Sequence, residues 1–369
     1  MDTPKKITDI QTASIVISSI IGVGVLPLPL FAVRAGNTAA PIVTLIGIAI
    51  SLFALFIITV LGMRHPNKTI FGYSEEILGK WLGRFCNIFV ILFFALLTAL
   101  GSREFGAVVT TAILRETPIE VTVLVMLLLA AITSRNDLNT FAYIHTFYLP
   151  VIISPVVIIV VLSLQNANAL YLQPLLGNDI GDMFKGSLTI ASLCQWSFVL
   201  TIIIPLMLNP KRAMRTGMTG LLIAGGILLM LVVASVAVFG AEETKKLLWP
   251  TLELARTTTL PGDLLQRMDV VFLTVWVTAV FTTLLSGYTF ICHALSGLFR
   301  LRDHKIFSFS LLPIIFVLSM LPGNLLQMYK VIEFVGRFGL IVTIGYPCIL
   351  LAIDLIRNKR GKRSAPTNM

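Results

Sequence analysis

The sequence predicts an all-α integral membrane protein with ten transmembrane helices, forming a single polytopic membrane domain over residues 1–369. Two properties of the 369-residue chain carry this prediction: 56% of its residues are hydrophobic and only 12% are charged. Soluble domains carry about 25% charged residues, so about half of the usual solvated surface is missing. The polar remainder lies between apolar runs of roughly 20 residues, the length that crosses a bilayer core.

Ten apolar segments can be assigned as spans, of which the fourth and ninth are short. They cover residues 10–33, 41–63, 84–113, 119–133, 141–164, 185–208, 216–240, 269–298, 306–321 and 331–356. An odd number of spans per half places the two halves in opposite orientations. We therefore expect a 5+5 inverted repeat, with repeat one at about 10–164 and repeat two at about 185–356.

Basic residues indicate the orientation. With a cytoplasmic N-terminus, 18 of the 28 Lys and Arg residues fall in cytoplasmic segments and eight outside, while Arg103 and Arg337 lie within spans. This excess predicts that both termini are cytoplasmic. The basic tail 357–369 suits a surface of anionic lipid. The net charge of +10 therefore indicates a bilayer as partner and not a nucleic acid.

The first span contains Ile20–Pro29, "IIGVGVLPLP", which is poor helix material. Gly costs about 1 kcal/mol and Pro about 3 kcal/mol in a helix interior. Unwound backbone at membrane depth is tolerated where it is buried in protein or lines a cavity. We therefore predict a ligand site at Gly22, Val23, Gly24, Val25 and Leu26. Amide groups near Leu26 to Pro29 suit a carboxylate, and uncommitted carbonyls near Ile20 to Gly22 suit an ammonium or a cation. Simple close packing of the helix is the alternative.

Span six occupies the matching position in the second half, and it contains Pro205 after a polar stretch at 192–197. We predict a second break there, with Gln195 and Trp196 in the ligand site. Small polar residues on facing helices are expected to complete this site: Thr98 and Ser102 on span three, and Thr283 and Ser286 on span eight. The alternative for each hydroxyl is a hydrogen bond to its own helix, commonly to the carbonyl four residues earlier.

Five ionisable residues lie at the predicted outer ends of spans: Arg103, Glu104, Asp269, Glu333 and Arg337. Charges inside spans are costly and are functional candidates by default, so we expect a charged vestibule or outer gate above the ligand site. Structural ion pairs at the headgroup level are the alternative. The long outer loop 241–268 is interpreted as a lid, a docking surface or an ordinary solvated loop.

Catalytic chemistry is not indicated. The chain shows no nucleophile–base pair, no metal cluster and no phosphate-binding loop, and its four cysteines are scattered among the spans. We therefore expect neither an enzyme nor a bound cofactor or metal.

Four motifs carry a resemblance to known families. "GVGVLPLP" resembles the glycine-rich break of the amino acid–polyamine–organocation transporter superfamily. "PLMLNPKRAMR" (205–215), "WPTLELAR" (249–256) and "LPGDLLQRMDVVFLTVWVTAVF" (260–281) resemble the B subunits of bacterial spore germinant receptors, the endospore germination permease family.

The resemblance implies a fold like that of sodium-coupled amino-acid transporters, with broken helices 1 and 6. It also implies a receptor subunit that senses a nutrient germinant, commonly an amino acid, in the spore inner membrane, together with an A subunit and a C lipoprotein subunit. Relatives often carry a glycine and an acidic residue in the sixth helix, where this chain has Trp196 and Phe198. Trp196 is therefore expected to shape or cap the pocket. An amino-acid transporter with alternating access and a ligand-gated ion-conducting pore remain alternatives.

Overall fold

The computed structural model describes residues 6–174, 179–258 and 268–363. Within these ranges all regular elements are helical, and the only β-type contact is an isolated parallel bridge between Ile7 and Met207. The all-α fold class is therefore confirmed.

The first half of the chain forms seven helices that follow the predicted spans closely. They are α1 (Asp9–Ile20), α2 (Leu28–Gly36), α3 (Ala40–Arg64), α4 (Ile70–Leu78), α5 (Lys80–Ala112), α6 (Ile119–Thr133) and α7 (Leu138–Ser163). The first predicted span is divided between α1 and α2. Helix α4 lies in the second interspan segment, where no helix was predicted.

The second half repeats this pattern of long helices with one broken span. Its helices are α8 (Ile180–Leu193), α9 (Leu200–Ile203), α10 (Ala213–Phe239), α11 (Ala241–Thr244), α12 (Pro250–Thr257), α13 (Met268–Phe299), α14 (Lys305–Met320), α15 (Leu325–Leu340) and α16 (Tyr346–Arg363). A π-helical segment, Ile341–Gly345, joins α15 to α16. The last predicted span therefore continues as one helical stretch into the tail.

Six helical stretches of the described residues are long and apolar enough to cross a membrane. They are Leu28–Arg64, Lys80–Ala112, Leu138–Asn166, Pro210–Phe239, Met268–Phe299 and Leu325–Arg357. The first of these turns at Asn37, whose φ is 49°. A helix pair bent by 43° within 180–206 qualifies as a seventh span, and α6 and α14 are shorter apolar helices. The chain is thus a multi-pass membrane protein, while the count of ten spans and the inverted repeat stay predictions.

Many large apolar side chains lie on the outside of the helix bundle. Phe53 on α3 and Leu92 on α5 are 52% and 59% exposed. In water such a surface would promote association, but it is the surface that a bilayer solvates. The two broken spans lie inside this shell: α1 packs against α7, α10 and α13, and α8 packs against α2, α3 and α15.

Candidate ligand site at two broken helices

The first span is interrupted at the predicted position. Helix α1 ends at Ile20, a single 3₁₀ turn spans Val23–Val25, and α2 begins at Leu28. At its start, α1 is fixed by a capping box between Thr8 and Gln11. The interruption is therefore a local change in the middle of an otherwise well-formed span.

Side chains of α13 hold the unwound end of α1. Thr282 Oγ1 donates to the Ser18 carbonyl at 3.1 Å, and Thr283 Oγ1 donates to the Ser19 carbonyl at 3.1 Å. Trp276 Nε1 donates to the Gly22 carbonyl at 3.1 Å. Of the carbonyls predicted to be uncommitted near Ile20 to Gly22, that of Gly22 already accepts from this indole N–H.

A buried polar cluster between α1, α7 and α13 contacts the same end of α1. His145 on α7 contacts Ser18 Oγ through Nδ1 at 2.5 Å and Ser286 Oγ through Nε2 at 3.3 Å. Ser286 Oγ also lies 2.6 Å from Ser19 Oγ. All four side chains are buried, so α1, α7 and α13 are joined by a hydrogen-bonded network next to the break.

Gly22 is required by how closely α13 approaches the break. A Cβ atom at this position would lie 1.9 Å from Thr283 Oγ1 and 2.9 Å from the Ala279 carbonyl oxygen. Neither distance is possible for real atoms, so any larger residue must displace α13 or the break. The glycine thus serves close packing as well as unwinding.

The sixth span is also interrupted at the predicted position. Helix α8 ends at Leu193, and a 3₁₀ segment occupies Gln195–Val199 before α9 begins. Gln195 Nε2 donates to the Gly336 carbonyl on α15 at 2.8 Å. Its buried Oε1 atom has no hydrogen-bond partner in the described part of the chain. This break therefore offers one open acceptor inside the protein.

The two breaks meet at one point. A Cβ atom on Gly24 would lie 3.0 Å from Leu193 Cδ2, at the end of α8. The Trp196 side chain lies close to α5 and α13, because a Cβ atom on Gly287 would be 2.5 Å from its Cζ3 and one on Gly101 would be 3.9 Å from its Cζ2. Trp196 therefore fills the space in which both breaks, α5 and α13 converge.

The predicted ligand residues are brought together, but the site is closed. Of the eleven, Gly24 is half-buried and the other ten are buried. Thr98 and Ser102 donate to carbonyls of their own helix, at 2.7 Å to Phe94 and 2.8 Å to Ala99. The alternative interpretation thus describes these two hydroxyls. Thr283 and Ser286 also donate to their own helix, at 3.2 Å to Ala279 and 2.9 Å to Thr282, and in addition they contact α1.

The sequence resembles known proteins over most of its length. The sequence profile described as "Spore germination protein" matches residues 6–328. The chain belongs to the spore germination protein family. Spore germination protein YndE of Bacillus subtilis (strain 168) is 26% identical over 361 residues, which cover 97% of this chain and 98% of YndE. Spore germination protein A2 of the same organism is 27% identical over 338 residues, covering 90% and 92%. Spore germination protein B2 is 22% identical over 364 residues, covering 97% of each.

Solved transporter structures share the fold. Mhp1, a nucleobase-cation-symport-1 family transporter in a closed conformation with bromovinylhydantoin bound, superposes with a TM-score of 0.65 at 14% identity, covering 92% of this chain and 77% of Mhp1. MhsT in complex with L-phenylalanine gives a TM-score of 0.64 at 12% identity, covering 93% and 88%. At these identities the likeness shows the fold alone. This family member therefore has a transporter fold.

We call the motif "WPTLELAR", which carries part of the family resemblance, the lid, because it packs over the first break. It contains α12, which packs against α2, α7, α10 and α13. Thr251 Oγ1 donates to the Val25 carbonyl at 2.8 Å, and Trp249 Nε1 donates to Tyr329 Oη at 2.7 Å. The described part of loop 241–268 is therefore folded back onto the site. Residues 259–267 of this loop lie outside the described residues.

The predicted outer charges make different contacts, and the charged vestibule or outer gate stays a prediction. Arg103 donates to Met320 Sδ at 3.3 Å and to the Pro322 carbonyl at 3.2 Å, and thus faces the end of α14. Asp269 lies 3.9 Å from Arg256 of the lid. Glu104 is only 3% exposed and accepts a hydrogen bond from Tyr329 Oη at 3.3 Å.

Glu333 and Arg337 form the predicted i,i+4 pair, with 3.1 Å between Glu333 Oε2 and Arg337 Nη2. Arg337 Nε also donates to Thr189 Oγ1 at 2.8 Å. These residues line a cavity of about 300 Å³ between α2, α8 and α15. The cavity lies where α2 follows one break and α8 precedes the other, which is the outer side in the predicted orientation.

Proposed function

We propose that this chain is the germinant-binding membrane subunit of a spore germination receptor, and that it binds an amino acid where helices 1 and 6 are broken. Family membership and the likeness over nearly the full length of A2 and B2 support the receptor role. The chain acts by binding and conformational change and catalyses no reaction. It acts with an A subunit and a C lipoprotein subunit in the spore inner membrane, with both termini cytoplasmic.

The observation that carries the ligand site is the meeting of the two breaks at Gly24, Leu193 and Trp196. The Trp196 ring lies beside Gly101, and the Val23 side chain of the first break approaches the same glycine. L-phenylalanine in MhsT supports an amino acid as the ligand class. Because the site is closed, binding requires Trp196 or the lid to move, and that movement is the signal passed to the partner subunits.

A transporter is the second candidate. Mhp1 and MhsT, whose solved structures share this fold, both have a small molecule bound, and Mhp1 is a transporter. The same broken helices serve receptors, transporters and ligand-gated pores. Uptake of labelled ligand into proteoliposomes would favour the transporter, whereas ion leak without ligand uptake would favour the pore. Saturable binding with neither flux favours the receptor.

The test is thermal unfolding of the purified chain against a panel of L-amino acids and simple sugars. Gly24→Leu places a large side chain against Leu193, while Gly226→Leu is the matched control because the space around Gly226 is open. We expect one amino acid to raise the melting temperature saturably in the wild type and in Gly226→Leu but not in Gly24→Leu. Equal stabilisation of all three proteins would contradict the site, and no stabilisation of the chain or of the receptor reconstituted with its partners would contradict the function.

A further inference from the structure

The cavity between α2, α8 and α15 has a charge balance that points to a ligand. Two of its acids are already paired: Glu333 with Arg337 at 3.1 Å, and Asp182 with Lys185 at 3.4 Å. Arg34 also lines the cavity, and within the described residues it has neither an ion pair nor a hydrogen bond. Arginine is protonated at every physiological pH, so the lining carries one unmatched positive charge.

Among the described residues, no other acid lines the cavity. Glu104 does not line it. Phe31 does, and its ring packs edge-on against Tyr329 at 5.7 Å, while Tyr329 donates to Glu104. The acid therefore lies behind this pair of rings. A single negative charge brought from outside would complete the lining.

We propose that this cavity is a binding site for a small monoanion, and that Arg34 is its main recognition residue. Arg34 comes from α2 and Arg337 from α15, so the anion would join two helices on the outer side of the breaks. A guanidinium presents its donors in a planar fork that matches a carboxylate. A volume of about 300 Å³ is at the lower end for small-molecule sites, and it leaves room for a small anion together with water.

The anion can come from two sources. It is either the carboxylate of the germinant, held here before the ligand reaches the breaks, or a free inorganic anion. The first source rests on the proposed function and deepens it, because it makes the ligand an acid. The second source is independent of the proposed function, so the anion site and the proposed function can be contradicted separately.

The test is a titration of the purified full-length chain, at constant ionic strength with HEPES, a bulky sulfonate without a carboxylate, as background anion. The probes are sodium acetate, sodium chloride, L-alanine and glycinamide, and the readout is the midpoint of a saturable thermal shift. Arg34→Gln removes the unmatched charge from an exposed side chain, and Arg34→Lys keeps the charge without the fork. Lys330→Gln is the matched control. Lys330 is exposed, lies on the predicted outer side as Arg34 does, and does not line the cavity.

We expect acetate to bind saturably to the wild type. Its affinity should fall at least tenfold in Arg34→Gln, fall less in Arg34→Lys, and be unchanged in Lys330→Gln. L-Alanine sharing this Arg34 dependence would identify the ligand carboxylate as the anion. Chloride alone sharing it would identify an inorganic anion. Acetate binding without binding of any amino acid would leave this inference standing and count against the proposed function. The inference is overturned if no anion binds saturably, or if Arg34→Gln binds as the wild type does.

Discussion

The two broken spans both lose their helical geometry in the middle of the bundle, but small and large residues are distributed oppositely around the two breaks. In the first span the small residues lie in the break itself, and the partners are larger: Gly22 contacts Thr283, and its carbonyl accepts from Trp276. In the sixth span the break holds large residues, Gln195 and Trp196, and the glycines lie on the neighbouring helices. A Cβ atom on Gly339 would lie 2.7 Å from Gln195 Oε1.

This difference shows where the information for a break resides. The first break can be read from its own ten residues, because glycine and proline are costly in helices. The second is indicated by its own Pro205 and the polar stretch 192–197, but it also depends on room supplied by α5, α13 and α15. Each of the following substitutions alters one of the two breaks, its neighbouring helix or the outer ion pair.

The largest effect is expected for Gly22→Ala, compared with Gly24→Ala. The new methyl group at Gly22 would meet Thr283 and the Ala279 backbone, whereas at Gly24 it meets the flexible end of Leu193 at 3.0 Å. Overpacking costs about 1–3 kcal/mol, and we expect Gly22→Ala to reach at least the upper part of that range and Gly24→Ala to stay below it. Thermal unfolding in one detergent measures both. Equal destabilisation by the two variants would contradict a special role for Gly22.

Gly287→Ala tests the second break from its neighbour's side. Its Cβ atom would lie 2.5 Å from Trp196 Cζ3 and 2.4 Å from Thr98 Oγ1, so a loss of about 1–3 kcal/mol is expected. Trp196→Phe shortens the ring and should recover part of this loss in the double variant. Additive effects of the two substitutions would mean that Trp196 does not occupy the space next to Gly287.

Smaller effects are expected where α13 holds the first break through hydroxyl groups. Thr282→Val and Thr283→Val each remove a donor to an α1 carbonyl, and such hydrogen bonds within membranes are worth about 0.6 kcal/mol. Thr274→Val is the matched control, because Thr274 is exposed and donates to its own helix at Val270. If the control loses as much stability as the two variants, the carbonyl contacts do not stabilise the break.

The smallest effect is expected for the outer pair. The side chains of Arg337 and Glu333 are 39% and 28% exposed, and i,i+4 pairs of this kind contribute about 0.3–0.5 kcal/mol. Glu333→Arg and Arg337→Glu should each lower the melting temperature slightly, and the double reversal should restore most of it. If the melting temperature of the double variant falls by the sum of the two single losses, the two residues have separate roles.

The sequence predicted the fold well because membrane burial is a local property of the chain. Apolar runs of bilayer length locate α3, α5, α7, α10 and α13 to within a few residues. Helix α4 was missed because nine residues are too few to distinguish from a loop.

The residues around the two breaks can be read from the sequence only in part, for the same reason. Gly22 and Gly24 are marked by their own neighbourhood, whereas His145, Gly287 and Arg34 resemble ordinary residues of a span or of its end. Their importance comes from residues far away in the chain: His145 contacts Ser18, 127 positions before it. The charged vestibule or outer gate stays a prediction, and two of its residues differ in their contacts, because helical rotation turns Arg103 toward α14 and its neighbour Glu104 toward Tyr329.

The central claim is that the ligand site lies where the two breaks meet at Trp196. It is tested most directly by equilibrium binding of radiolabelled L-amino acids to Trp196→Ala, with Trp81→Ala as control, since Trp196 is 7% exposed and Trp81 is 91% exposed. Our account predicts that Trp196→Ala changes the rank order of affinities among amino acids, whereas Trp81→Ala leaves the order of the wild type. An identical rank order in all three proteins would contradict a ligand site at the two breaks.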